Sequence, residues 1–260
     1  MGEHIAKWDS LGVPRDEFWE LVKGLPCNVG IDLSKSIDLT ADSFIFILDD
    51  GRIAISAHGF IPEQAVERHE KTDKIPYRDW AEAGWLTVTE GGVTDDRRIS
   101  DHIAQLESGL YSGLEQINPE LFENLEELAA YKAEHGVTVN EICYDPYQAL
   151  SFKNRMEDDG YECAEVRQIM PTLSQPTKLF RELVISDKLV HDGSPLLKWC
   201  VGNAVQIVNT KEDIMISKKN ASDTRRVDLL AATISALQRI EPLRTATPLK
   251  DWIESEDFGF

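Results

Sequence analysis

Val29, Ile31 and Leu33 alternate with residues that face the other way, the period of a half-buried strand, and Asp32 falls between two of them. The alternation predicts a strand over 28–33 with Asp32 on the side opposite the apolar residues, just before Ser34-Lys35-Ser36 breaks the run. Asp38 opens the return strand. Apolar segments at 43–48 and 52–59 predict two more strands, and the Asp49-Asp50-Gly51 between them holds the Asp-Gly step that favours a tight hairpin. Upstream, Pro14 starts a short helix through Phe18, Trp19, Leu21 and Val22, closed by Gly24 and Pro26. Downstream, Pro62 starts a helix that runs into the charged stretch 67–74, and 75–88 reads as a helical turn, a stop at Gly84 and a strand. Its aromatic residues read as packing.

The second half alternates helices with strands. Thr94 or Asp95 caps a helix bearing Ile99, Ile103 and Leu106, and 119–135 predicts another with Leu121, Leu125, Leu128 and Ala129 on one face. A core strand over 137–144 ends at Asp145-Pro146, and Pro146 suits the first position of a helix carrying Ala149, Leu150, Phe152 and Met156. Asp145 therefore stands at a strand-to-helix junction, where open α/β sheets place functional groups. A strand at 162–167, helices at 174–187 and 194–202, and a hairpin with arms at 204–209 and 214–218 come next. The last helix, 223–240, has Val227, Leu230, Ile234 and Leu237 as its stripe, with Asp228 off it. The expected organisation is a lead-in at 1–26, one domain at 27–245 on which the aromatic residues of the lead-in dock, and an acidic tail at 246–260.

Composition narrows the chemistry. Of the 260 residues, 27 are Lys or Arg and 46 Asp or Glu, a net charge of -19. Affinity for nucleic acid regardless of sequence comes largely from Lys and Arg displacing counterions, so any DNA contact must be local, metal-bridged or assisted by another chain. No run approaches the ~18 apolar residues of a membrane helix, and the N-terminus lacks the pattern of a signal peptide, so the expectation is a cytoplasmic protein. The four cysteines, Cys27, Cys143, Cys163 and Cys200, lie far apart without Cys-x-x-Cys spacing, which argues against a zinc site or a disulfide framework and for buried, reduced thiols.

Three carboxylates then stand out by order: Asp32 on the first strand, Asp145 after a later core strand, and Asp228 on the last helix. The reading is an α/β fold of the ribonuclease H-like plan, a mixed sheet of three antiparallel strands followed by parallel ones, flanked by helices and with an added hairpin. In-line cleavage of a phosphodiester needs a deprotonated water and a stabilised leaving oxygen, which two divalent cations supply. Hard ions such as Mg²⁺ or Mn²⁺ prefer oxygen ligands, so carboxylates suit them. Convergent carboxylates without a cation repel by roughly 4 kcal/mol per pair at ~4 Å and an effective dielectric of ~20. Each aspartate also has a plain structural reading, Asp32 and Asp38 in binding turn amides and the others in capping. Lys35, Lys218, Lys219, Arg225 and Arg226 are candidates for steering a phosphate backbone, and equally a solvated basic face. His191 beside a Gly turn reads as structural, and Ser34 and Thr40 as satisfying the turn.

The stretch 30–41, with its Asp-bearing strand and Asp38-Leu39-Thr40-Ala41, resembles the first nuclease motif of the large terminase subunits of tailed bacteriophages. The resemblance continues through Pro76-Tyr77-Arg78-Asp79-Trp80-Ala81 with Gly84-Trp85-Leu86, and through Tyr144-Asp145-Pro146. Leu189-Val190-His191-Asp192-Gly193 with Pro195 and Trp199, and Arg226-Val227-Asp228-Leu229-Leu230-Ala231, complete it. It implies a metal-dependent endonuclease that cuts concatemeric viral DNA during genome packaging, with Asp32, Asp145 and Asp228 as catalytic metal ligands, Asp38 as an auxiliary one, and two Mg²⁺ or Mn²⁺ ions. Implied partners are double-stranded DNA, a terminase ATPase domain, the small terminase subunit and the portal, with no membrane; the implied location is the host cytoplasm, transiently at the viral prohead. No Gly-x-x-x-x-Gly-Lys-Ser/Thr occurs, so the reading is the nuclease half alone. The alternatives are a junction resolvase or transposase-type nuclease of the same fold, and a catalytically silent docking module for the packaging motor.

Overall fold

A computed structural model of the chain describes residues 2–34, 39–109, 124–147, 149–217 and 226–240, with side chains described from residue 6 onward and excluding Leu125. Two short helices, α1 (Gly2–Asp9) and α2 (Arg15–Val22), lead into the strands β1 (Pro26–Asp32), β2 (Thr40–Ile47) and β3 (Ile53–Pro62). Helices α3 (Glu63–Asp73) and α4 (Tyr77–Glu82), strand β4 (Leu86–Thr89), helices α5 (Arg97–Glu107) and α6 (Leu125–His135), and β5 (Thr138–Tyr144) come after them. Then come α7 (Leu150–Asp158), β6 (Cys163–Glu165), α8 (Met170–Ile185), β7 (Leu189–His191), α9 (Pro195–Asn203), the hairpin β8 (Val205–Val208) and β9 (Ile214–Ser217), and α10 (Asp228–Leu237).

Seven strands form one mixed sheet in the order β4-β3-β2-β1-β5-β6, with β7 sharing the outer edge of β3 with β4. The first three strands are antiparallel, and β5 and β6 run parallel to β1. This is the expected plan of three antiparallel strands followed by parallel ones, and β8 with β9 makes the separate added hairpin. Strands buried on both faces read as continuous apolar runs; β2 and β3 are buried along their whole length. Each face has its own apolar layer: α1, α3, α4, α8, α9 and α10 cover one, and α2, α5 and α7 cover the other.

Several expectations shift. The first 26 residues place Trp8, Phe18, Trp19 and Val22 in the core, as the docking of their aromatic residues required. Strand β7 and helix α1 carry too few periodic residues to be legible as elements. Pro146 does not begin α7, which starts four residues later at Leu150, so Asp145 is followed by a turn. Likewise α10 begins at Asp228; Arg226 and Val227 are not helical, and 218–225 lie outside the described residues. Nor is α10 striped. All of its residues but Ala231 are buried, which makes it a core helix with apolar contacts all round.

Gly30 shows how closely α10 sits on the sheet. A Cβ there would lie 1.9 Å from the carbonyl oxygen of Ala232 and 2.8 Å from the amide of Ala236. Only a residue without a side chain lets the helix backbone rest on β1. The contact is fixed alongside by the Ser43 and Thr233 hydroxyls, 2.8 Å apart, and by Asn28, whose side-chain amide donates to the Arg239 carbonyl. The four cysteines are free thiols, three of them buried, as their spacing suggested. Among the described residues no helix is long and apolar enough to cross a membrane.

Candidate active site

The register of the sheet locates the three aspartates. In the β1–β5 pair Ile31 lies opposite Tyr144, so Asp32 and Asp145 come next on neighbouring parallel strands about 4.8 Å apart at their carboxyl ends. Gly30 pairs with Cys143, and both face α10. Two residues further along the alternation, Asp32 and Asp145 fall on the same face. Helix α10 runs antiparallel to β1, with Arg239 over Asn28 and Ala232 to Ala236 over Gly30. From Ala232 back to Asp228 the helix travels about 6 Å, and from Gly30 to Asp32 the strand travels about 6.6 Å. Asp228 therefore comes level with Asp32. The fold brings all three to one end and one face of the sheet.

Their surroundings differ. Asp228 is buried as the first residue of α10, where a carboxylate also gains from the helix dipole. Asp32 and Asp145 are half-buried, and Oδ1 of Asp145 accepts the backbone N–H of Tyr147 at 3.2 Å, a turn-closing role that stands beside any other. The turn after Asp32 is tied by Thr40, whose hydroxyl oxygen accepts the Ser34 N–H at 3.1 Å. Among the described residues no three His, Cys, Asp or Glu side chains stand close enough together to hold a metal ion. The trio shares a neighbourhood without closing on one point. Mutual repulsion of roughly 4 kcal/mol per pair at contact is reason enough for carboxylates to stay apart without a cation.

The basic candidates fare differently. Lys35, Lys218, Lys219 and Arg225, like the auxiliary Asp38, lie outside the described residues. Arg226 does not belong to a DNA-facing surface: it is buried, its Nε 3.2 Å from Asp73 and its guanidinium 2.7 Å from Nδ1 of His69. An internal ion pair has taken the charge that the sequence offered to phosphate. His191 is structural, as expected. It stacks on Trp8 at 4.2 Å, its Nε2 donates to the Trp8 carbonyl and its Nδ1 accepts the Gly193 N–H.

Two polar groups not singled out in the sequence are buried elsewhere in the sheet layers. On the face opposite α10, Asp42 is fully buried with Oδ2 2.7 Å from Nδ1 of His102, and the His102 ring lies 4.5 Å from that of His58. Burial, then the neighbouring His102 and Arg15, holds the His58 pKa well below its ordinary value, and its Nε2 meets the Thr87 hydroxyl at 2.8 Å. Asp192, in the turn after β7, accepts the Ser56 hydroxyl at 2.7 Å and the Ser194 N–H at 3.1 Å. Burial raises its pKa to about 6, against the pull of those bonds and of Arg15. The signal for both was available: a charged residue within an otherwise apolar strand or turn, matched by a histidine or hydroxyl elsewhere.

A mixed sheet of this order with carboxylates at the ends of β1 and β5 and at the start of a helix across β1 defines a ribonuclease H-like α/β protein. The family model described as "Terminase large subunit, endonuclease domain" matches residues 4–111 and 122–242, and the chain belongs to that family. Protein YmfN of Escherichia coli (strain K12) is 25% identical over 244 residues, covering 91% of this chain and 48% of its own length. The large terminase subunit of Enterobacteria phage HK97 is 23% identical over 226 residues, covering 84% of this chain and 39% of its own. The crystal structure of the HK97 bacteriophage large terminase superimposes with a TM-score of 0.64 at 20% identity, over 87% of this chain and 43% of that one. The chain thus spans about half or less of the length of these relatives.

Proposed function

We propose that this chain is a divalent-metal-dependent DNA endonuclease that cuts concatemeric viral DNA during packaging, with Asp32, Asp145 and Asp228 as metal-binding catalytic carboxylates. The observation that supports it most is the register: strands β1 and β5 and helix α10 deliver one aspartate each to the same end and face of the sheet. Their donor chemistry, oxygen only, suits hard divalent ions. When bound, two such ions supply a deprotonated water and stabilise the leaving oxygen. The chain's own part is to hold carboxylate oxygens on two strand ends and one helix start, and to draw them together as a cation offsets their repulsion. Asp38 is the proposed auxiliary ligand, and Lys35, Lys218, Lys219 and Arg225 are the proposed backbone contacts. With a net charge of -19, productive contact with DNA is expected to depend on the partners its family implies, the ATPase domain, the small subunit and the portal.

Purified protein with supercoiled plasmid and Mn²⁺ tests this. Cleavage that Asp145→Ala abolishes supports the enzyme. The net charge of -19 favours one second reading, a docking module whose acidic surface binds the packaging motor and which is silent on its own. Plasmid left intact with every divalent metal tried supports that module and overturns the nuclease.

A further inference from the structure

The buried ion pair that removes Arg226 from the DNA surface sits two residues before Asp228, at the entrance to α10. Its parts come from three elements. Asp73 ends α3, and its side chain is wholly inaccessible. It meets the Arg226 Nε at 3.2 Å and accepts the Thr72 hydroxyl at 2.7 Å and the Tyr77 hydroxyl of α4 at 2.8 Å. Burial by itself would raise the Asp73 pKa, but the Thr72 and Tyr77 hydroxyls and the charge of Arg226 outweigh it and hold the carboxylate below its ordinary value. The guanidinium has only donors, so Nδ1 of His69, 2.7 Å away, accepts from it. From the other side Asn203, the last residue of α9, donates its amide to the Arg226 carbonyl at 3.0 Å. One turn on, the Val227 carbonyl receives the Ala231 N–H at 2.8 Å and the helix is under way.

Arg226 is therefore held by its side chain to α3 and by its backbone to α9, and α10 begins from that fixed point. A buried ion pair is seldom retained for stability, since an apolar replacement often does as well. What this one adds is position. The Ser43–Thr233 and Asn28–Arg239 bonds hold the middle and the far end of α10, and the Arg226 contacts hold its first turn, where a one-residue slip would move Asp228 by about 1.5 Å and about 100° around the axis. We propose that Arg226, with Asp73, His69 and Tyr77, is a positioning clamp that sets the metal-ligand geometry of Asp228; it rests on the reading of Asp228 as a metal ligand. Removing groups that orient metal ligands commonly costs 10–100-fold in metal affinity or activity.

The test is a Mn²⁺ titration read two ways, as the rise in melting temperature without DNA and as plasmid cleavage, for wild type, Arg226→Lys and Tyr77→Phe. Arg226→Lys keeps the charge and loses the two-pronged reach to Asp73 and His69. Tyr77→Phe removes one hydroxyl from the same carboxylate and guards against a failure of the first variant to fold. We expect the half-saturating Mn²⁺ concentration to rise in both readouts, about 10–100-fold for Arg226→Lys and several-fold for Tyr77→Phe. A variant that melts lower without metal but titrates at the wild-type Mn²⁺ concentration shows a merely structural pair and overturns the clamp alone. If wild type shows neither a Mn²⁺-dependent rise nor cleavage, the metal reading of Asp228 falls and takes the clamp with it.

Discussion

Asp32 and Asp42 sit almost side by side on the first hairpin, for Ile31 pairs with Asp42 and Asp32 with Ala41. The pleat sends them to opposite faces. Asp42 enters the aromatic layer beneath α5, where it is fully buried and bonded to His102. Asp32 turns toward α10 at the very end of its strand, half-exposed, with Asp145 and the start of α10 beside it. The same residue type one register step away thus belongs to a closed internal pair in one case and to an open rim in the other. Position in the sheet, more than chemistry, separates a structural carboxylate from a candidate ligand.

The widest gap between the two should appear in catalysis. Asp32→Asn is expected to lower Mn²⁺-dependent plasmid cleavage by more than about 100-fold, beyond the usual cost of a mere orienting group, while barely moving the urea midpoint. His102→Ala should do the reverse, costing about 3–5 kcal/mol in urea unfolding because it strands a buried carboxylate, with cleavage by the folded fraction intact. Equal loss of cleavage in both variants would erase the distinction between the faces.

Two smaller effects sharpen the same contrast. Asp192 has its pKa raised from 3.8 to about 6 by burial, so the folded state holds a proton between about pH 4 and 6 that the unfolded chain has lost. Its contribution is greatest below pH 4 and declines as pH rises through 6. Asp192→Asn should therefore gain on wild type as pH goes from 4 to 7, by up to about 3 kcal/mol, in paired urea titrations. A gap that stays constant with pH would mean that Asp192 is ionised throughout. Gly30→Ala pushes a methyl group into the α10 backbone and should cost about 1–3 kcal/mol in the same assay, the ordinary cost of overpacking. Wild-type stability for Gly30→Ala would show that α10 does not rest on β1 as described.

Much of the frame was legible because its signals are local. The strand alternation around Asp32, the Asp-Gly turn and the 3.6-residue spacing of Ile99, Ile103 and Leu106 each lie within a few residues, and β1, β3 and α5 formed close to where they pointed. Three-residue β7 was invisible, since Leu189, Val190 and His191 form a strand only because β3 offers an edge. The starts of α7 and α10 were misplaced for a related reason. Pro146 and Asp223 suit a helix start, but the turn at Asp145 and the ion pair at Arg226 override local preference.

Residue order alone named three aspartates and a sheet plan, because alternation, turn chemistry and helix periodicity are written over short windows. What it lacked was partnership at a distance. Whether Asp42 points inward, whether Arg226 meets phosphate or Asp73, and which end of α10 lies over Asp32 depend on residues separated by tens to hundreds of positions. Contacts of that span exist only once the layers have packed, so the tertiary structure decided them.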